Sequence, residues 1–223
     1  TKRTSGLSMP MPKAMVATIT SPSSRRKRLA KSRAPEIEPF AVGVERGAPT
    51  YNSVLIATAG GPVSRLEDIR GKPFAYGDQA STSSHLAPRA HLLKKVGLEG
   101  GRDYQPVHLG THDAVARAVQ AGQVPAGALS KPIFDNLVNR KMIDPAKVVQ
   151  LDLSPPIPNY PIVMQGKLAP ELKAAIRDAF LTLKDPQVLK AFRVEGFAPT
   201  DDAAYDILRE TASILKLDLG RMN

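Results

Sequence analysis

The chain has 223 residues, no cysteine or tryptophan, 42% apolar residues and a formal net charge of +10. This length and apolar content support a core in one domain or two small lobes. The lack of cysteine excludes a disulfide framework and thiolate metal sites, and no apolar run approaches the ~20 residues of a membrane-spanning helix.

The charge sits at one end. Residues 1–33 hold nine Lys/Arg and no Asp or Glu, so of 31 basic residues 22 remain against 21 acidic ones, and the body is nearly neutral. A nucleic-acid-binding domain would carry its excess on the folded surface, so no nucleic-acid partner is expected of the body. From Thr1 to about Pro22 the chain is rich in Ser, Thr, Pro and Met without a 2.0 or 3.6 period, and the basic run Arg25–Arg28 follows. A disordered basic tail is expected over residues 1–33. Pro10, Pro12 and Lys13 interrupt any apolar core a secretory signal would need. A targeting patch or nucleic-acid contact is the alternative use of this run, ranked below a solvated tail.

From Glu38 the pattern alternates between strand and helix. Tyr51–Thr58 has an aliphatic, β-branched core closed by Gly60-Gly61-Pro62, which predicts a strand and a turn. A short helical turn over Ser64–Ile69 and a strand over Gly71–Tyr76 follow, then a helix with Pro88 near its start and Gly97 as its stop. Further strands are expected at Val107–Leu109, Ala126–Leu129, Val148–Leu151 and Tyr160–Met164, with helices over His112–Ala121 and Pro132–Asn139. This order predicts an α/β fold with a parallel sheet covered by helices on both faces. Leu172, Ala175, Ile176, Ala179, Phe180 and Leu183 then repeat at helical spacing, as do Ala204, Ile207, Leu208, Thr211 and Leu215 behind Thr200-Asp201-Asp202. These apolar stripes are assigned to core packing.

Two strand-to-helix junctions carry candidate chemistry. In Gly77-Asp78-Gln79-Ala80-Ser81-Thr82-Ser83-Ser84-His85, hydroxyl residues lead into a helix start. Unpaired first-turn N–H groups and the helix dipole favour an oxyanion there, and Ser81, Thr82 and Ser83 add hydroxyl donors. The same cluster is also what an ordinary N-cap looks like, and by itself the stretch favours capping. At Leu109-Gly110-Thr111-His112-Asp113, Thr111 can cap the next helix with His112 in its first turn. Such junctions gather along the carboxyl edge of a parallel sheet, where His112 would share an anion with Ser81–Ser83; a surface or capping histidine is the alternative.

Other chemistries lack their motifs. Neither G-x-S-x-G nor G-x-x-x-x-G-K-[ST] is present. His108 and His112 fall on different elements, so no metal site is expected, and no carboxylate pair supports acid/base catalysis.

The run LEDIRGKPFAYGDQASTSSHLAPR, with GTHDAVARAVQAGQVPAGAL and IPNYPIV further on, resembles the phosphonate/phosphite substrate-binding proteins of ABC transporters. The likeness runs from about Leu29 to the C-terminus. It implies the two-lobed periplasmic binding protein fold of the second type, with Ser81, Thr82 and Ser83 on the phosphonate oxygens, His112 as a further donor and Tyr51 approaching from the other lobe. The departures are specific. The family often reads STSG where this chain has Ser84, and VDAGA where it has Val124-Pro125-Ala126-Gly127-Ala128. Tyr160 stands where amine-binding members carry an aspartate. Family members also have a βαβ segment before the equivalent of Leu29, so lobe 1 is expected to be incomplete.

The resemblance implies lobe 1 from residues 34–61 and 158–223, and lobe 2 from 62–157. It implies capture of a small phosphonate-type anion such as phosphite or methylphosphonate, a periplasmic location, an ABC transporter permease as partner, no cofactor and no bond broken. The alternative is a sensory or regulatory domain of the same fold, or a truncated remnant, whose basic tail contacts DNA or a partner. The site residues expected from sequence are Tyr51, Ser81, Thr82, Ser83, His112 and Tyr160.

Overall fold

The computed structural model describes residues 37–217; the basic stretch 1–33 lies outside them. The chain starts with β1 (Ile37–Val44), β2 (Thr50–Tyr51) and β3 (Ser53–Thr58), then β4 (Pro73–Tyr76), α1 (Ala87–Val96), β5 (Gln105–His108), α2 (His112–Gln120), β6 (Ala126–Ser130), α3 (Lys131–Asn139) and β7 (Val148–Leu153). It continues with β8 (Ile157–Pro158), β9 (Pro161–Gln165), α4 (Pro170–Leu181), α5 (Pro186–Phe192), β10 (Gly196–Pro199) and α6 (Asp206–Ile214).

The larger unit is a five-stranded sheet in the order β5-β4-β6-β3-β7. It is mixed, which corrects the all-parallel expectation: β4 runs parallel to β5 and β6, whereas β3 is antiparallel to both β6 and β7. The reason is connectivity, since β3 enters the sheet from the ribbon side, whereas β4, β5 and β6 are joined by helical crossovers that return the chain to the same end each time. Successive residues of β3 face opposite sides. Val54 and Ile56 pack with Val115 and Val119 of α2 and Phe134 of α3, whereas Leu55 and Ala57 pack with Phe74, Tyr76 and Leu92 of α1. Burying residues such as these contributes roughly 1.5–3 kcal/mol each for the larger side chains, so this double-sided core carries most of the stability. Gly97 ends α1 in the left-handed conformation, φ 66°, where any other residue would be strained.

The smaller unit is an antiparallel sheet, β10-β1-β9. Phe40 and Met164 are buried on it against Phe180 of α4 and Phe197, and Phe40 meets Phe180 edge to face at 5.4 Å. No residue of α4 or α5 is buried, and Leu172 and Phe192 are 49% and 47% exposed, so this unit has a one-sided core.

The units are joined by a two-stranded ribbon in which Thr50 pairs with Pro158 and Tyr51 with Ile157. The strand expected over Tyr51–Thr58 is therefore broken at Asn52, whose side chain donates to the Ser154 carbonyl at 2.7 Å. Ser53–Thr58, placed with lobe 1 by the resemblance, pairs inside the five-stranded sheet. Beside the ribbon, Asn159 Nδ2 donates to the carbonyls of Gly43 (2.9 Å) and Ala48 (3.3 Å), and the Tyr205 hydroxyl donates to its carbonyl (3.2 Å). Arg46 spans the units: its Nη1 meets Asp135 of α3 at 3.1 Å, and its Nη2 donates to the Pro132 carbonyl at 2.8 Å. At the C-terminal end α6 lies on α1, where Leu215 packs on Leu86 and Ala90. No helix among the described residues is long and apolar enough to cross a membrane.

Candidate functional site

The carboxyl ends of β4, β5, β6 and β7 and the start of β3 lie on one edge of the larger sheet, facing the ribbon. Four of the predicted residues reach this edge from the larger unit, and Tyr51 and Tyr160 come from the ribbon and the segment beyond it.

After β4 the chain makes an Asx turn, with Ala80 N–H donating to Asp78 Oδ1 at 2.8 Å and Ser81 N–H to the Asp78 carbonyl at 3.0 Å. It then enters a π-helical turn over Thr82–Leu86 that runs on into α1. Capping falls to one of the three hydroxyl residues. Ser81 is the cap, its Oγ accepting from Ser84 N–H at 3.2 Å. Thr82 and Ser83 follow, and their N–H groups belong to the first turn, which has no intrahelical acceptors. Two imidazoles hold the loop from behind. His85 Nδ1 donates to the Gln79 carbonyl (2.7 Å), and His108 Nδ1 reaches toward the Gly77 carbonyl (3.4 Å). Their rings meet edge to face at 4.7 Å, and His108 stacks on Tyr76.

His112 begins α2, with Thr111 Oγ1 accepting from Ala114 N–H as the cap. Its Nδ1 lies 3.1 Å from Ser130 N–H. An amide N–H only donates, so Nδ1 holds the lone pair and the proton of the neutral ring is on Nε2. Burial pushes the imidazole below its ordinary pKa, more strongly than nearby Asp113 raises it. His112 is thus a neutral donor through Nε2. His108 and His112, considered above as a metal pair, face different partners.

Burial pushes the Tyr51 phenol up to about 12, against a smaller lowering influence of the nearby Ser83 hydroxyl. The hydroxyl keeps its proton at neutral pH and remains a donor. Tyr160, which also acts electrostatically on Tyr51, is 48% exposed and lines a cavity together with Tyr51 and Thr82. The structure thus brings Tyr51, Thr82, Ser83 and Tyr160 together, places Ser81 beneath them as the cap, and sets His112 at the neighbouring helix start.

Ser130 and His85, not singled out from sequence, contribute the amide that fixes the His112 tautomer and the ring that anchors the loop. The position of Ser130 at the end of a small-residue strand was the available signal; for His85 it was its place inside the loop-helix junction.

Two α/β units on a two-stranded ribbon, with hydroxyl-bearing and histidine-bearing helix starts turned toward that ribbon, define a two-lobed periplasmic-type binding protein of the second type. Residues 28–205 match the family described as ABC transporter, phosphonate, periplasmic substrate-binding protein, and the chain belongs to it. A phosphate-import protein, PhnD, of Mycolicibacterium smegmatis is 28% identical over 198 residues, covering 76% of this chain and 60% of that protein. The chain therefore spans about 60% of the length of that curated relative. A binding protein component of an ABC phosphonate transporter from Pseudomonas aeruginosa is 26% identical, with a TM-score of 0.62 over 78% of this chain and 61% of that one. PhnD1 of Prochlorococcus marinus in complex with methylphosphonate, 21% identical, has the same fold at a TM-score of 0.62 over 80% of this chain and 71% of that one.

Proposed function

We propose that this chain captures a small phosphonate-type oxyanion, such as phosphite or methylphosphonate, between its two units outside the cytoplasm and delivers it to an ABC transporter permease. The first-turn N–H groups and hydroxyls of Thr82 and Ser83 surround the anion, His112 donates through Nε2, and Tyr51 donates from the ribbon side. Ser81 holds the turn in shape. The site binds and releases; it breaks no bond.

The observation that carries this reading is that Tyr51 and Tyr160, from the ribbon side, line one cavity with Thr82 of the hydroxyl turn, so hydroxyls from both sides face the same space. Neutral donors suit an anion that must later be released, because each charge-assisted hydrogen bond contributes roughly 1.5–3 kcal/mol without a permanent ion pair. A ligand of about five heavy atoms has a ceiling near −7.5 kcal/mol, or micromolar affinity. Calorimetric titration of the chain with phosphite, methylphosphonate and 2-aminoethylphosphonate tests the proposal. Micromolar binding of at least one supports it, and no heat change with any of the three up to millimolar concentration refutes it.

A further inference from the structure

A cavity of about 80 Å3 adjoins the proposed anion seat. It begins at Tyr51 and Thr82, which belong to that seat, and runs past Ile157 and Tyr160 to Leu208 and Ala212 on α6. A group attached to phosphorus and pointing away from the hydroxyl turn has this space beside it.

The walls are chiefly carbon, with the hydroxyl-bearing Tyr51, Thr82 and Tyr160 among them; the other polar side chains bond to the protein itself. The Tyr205 hydroxyl donates to the Asn159 carbonyl, Asn159 Nδ2 to the Gly43 carbonyl, and Thr211 Oγ1 to the Ile207 carbonyl at 2.8 Å. The charged lining residue, Arg209, is held by Asp202 through Nη2 (2.6 Å) and by Asp206 through Nη1. Two carboxylates on one guanidinium leave no net positive charge to attract a second anionic group, and no carboxylate lines the cavity to receive an ammonium. Toward Leu208 and Ala212 a polar substituent would lose its water without regaining a partner; an alkyl chain would lose nothing. Size narrows the choice. An apolar cavity of about 150 Å3 holds a benzene ring, and about half that volume matches two to four carbons.

We propose that this cavity receives an unbranched alkyl substituent, so that short-chain alkylphosphonates, from ethyl to butyl, are the preferred ligands over phosphite and over aminoalkylphosphonates. This rests on the anion seat proposed above and adds the identity of the group on phosphorus. Tyr51, Leu208 and Ala212 act as specificity residues: the first touches both anion seat and cavity, and the other two touch the cavity alone.

The test is a calorimetric series on the full chain with phosphite and methyl-, propyl- and phenylphosphonate, repeated with Ala212→Leu, which narrows the cavity from α6, and Leu208→Asn, which makes its wall polar. Each methylene buried adds about fourfold in affinity, so propylphosphonate should bind about fifteenfold more tightly than methylphosphonate, with phenylphosphonate gaining less than propyl. Ala212→Leu should abolish the gain and leave methylphosphonate binding within about twofold, and Leu208→Asn should cut propylphosphonate affinity by about fivefold or more. Methylphosphonate affinity doubles as the check that each variant is folded, and Leu208→Asn decides if Ala212→Leu does not fold. Flat or falling affinity from methyl to propyl, with methylphosphonate still bound, overturns the alkyl preference and leaves the anion seat standing. Failure of every phosphonate to bind overturns both.

Discussion

The side chain of Ser84 fills the space that a β-carbon on Gly77 would need: a carbon built on Gly77 would stand 2.3 Å from Ser84 Oγ. The two backbones also meet, with Gly77 N–H donating to the Ser84 carbonyl at 3.2 Å. Ser84 Oγ is buried and has no hydrogen-bond partner among the described residues. The end of β4 and the start of the hydroxyl turn are thus fitted to each other, and the serine that departs from the family's usual glycine is accommodated by a glycine across from it.

Gly77→Ala should therefore destabilise the chain by about 1–3 kcal/mol through overpacking, and most of that cost should vanish when Ser84→Gly is made with it. Ser84→Ala alone should be neutral to stabilising, by up to about 1 kcal/mol, because it removes a hydroxyl buried without a partner. Urea denaturation of the four members of the cycle measures the coupling. Strictly additive costs would show that the two positions do not compete for space.

Within the hydroxyl turn, stability and binding should separate. Ser81→Ala removes a cap and should cost about 1 kcal/mol of stability. Thr82→Ala and Ser83→Ala should leave stability nearly unchanged but weaken phosphonate binding by about tenfold to a hundredfold each, as expected for a charge-assisted hydrogen bond. The triple variant should fold and show no measurable binding. If it bound phosphonate as tightly as the unmodified chain, the anion seat would have to be sought elsewhere.

The buried histidines set a pH dependence. His112 and His85 both lie below the ordinary imidazole pKa of 6.5, in each case chiefly because burial disfavours the charged form. The unfolded chain consequently binds more protons around and below pH 6.5, and stability is full above that value and lost as pH falls through it. The slope should reach at most about 1.4 kcal/mol per pH unit for each histidine. Urea midpoints between pH 7.5 and 5 should fall accordingly, and His112→Gln should flatten the dependence by its share. A midpoint that rises on acidification would contradict the neutral ring assigned to His112.

Tyr160 should discriminate against amines. It stands at the cavity beside Tyr51 and Thr82, and a phenol donates one hydrogen bond and offers a ring face but carries no counter-charge for an ammonium. Methylphosphonate should bind more tightly than 2-aminoethylphosphonate, and Tyr160→Asp should narrow or reverse that order. A cation–π contact of about 0.5–2 kcal/mol would soften the preference without inverting it. An unmodified chain that favours the amine, unaffected by Tyr160→Asp, would remove Tyr160 from the site.

Sequence made the hydroxyl turn legible because its signal is local: a short strand, a glycine, then hydroxyl residues before a helix. It left open whether Ser81–Ser83 cap or bind, since both uses require the same residue types, and that Ser81 is the one that caps shows only in three dimensions, in the hydrogen bond from Ser84 N–H. The expected parallel sheet failed at β3 because strand direction depends on where the chain enters the sheet, which periodicity does not encode. The break at Asn52 escaped notice for a related reason, as Thr50–Thr58 reads as one apolar run although its two parts pair in different sheets. Helix α5 did carry a local signal. Asp185 caps it, and Pro186 opens it, a pattern common at helix starts. The bond from Ser130 N–H to His112 joins positions 18 residues apart on different elements and has no one-dimensional trace.

The guanidinium of Arg46 gives the arrangement of the two units a stability of its own. It reaches across to Asp135 and the Pro132 carbonyl, while its own N–H and that of Gly47 are gripped by the carboxylate of Glu195 at 3.0 and 2.8 Å. Arg46 is 49% exposed at its side chain, so the ion pair contributes only about 0.2–1 kcal/mol. Such a contact acts on apparent affinity through the fraction of molecules already in the competent arrangement. Arg46→Ala should therefore raise the phosphonate dissociation constant up to about fivefold without touching the seat, and should shorten the ligand's residence time by a similar factor. An arginine remote from the anion would in this way act as a timer, setting how long a bound anion is retained.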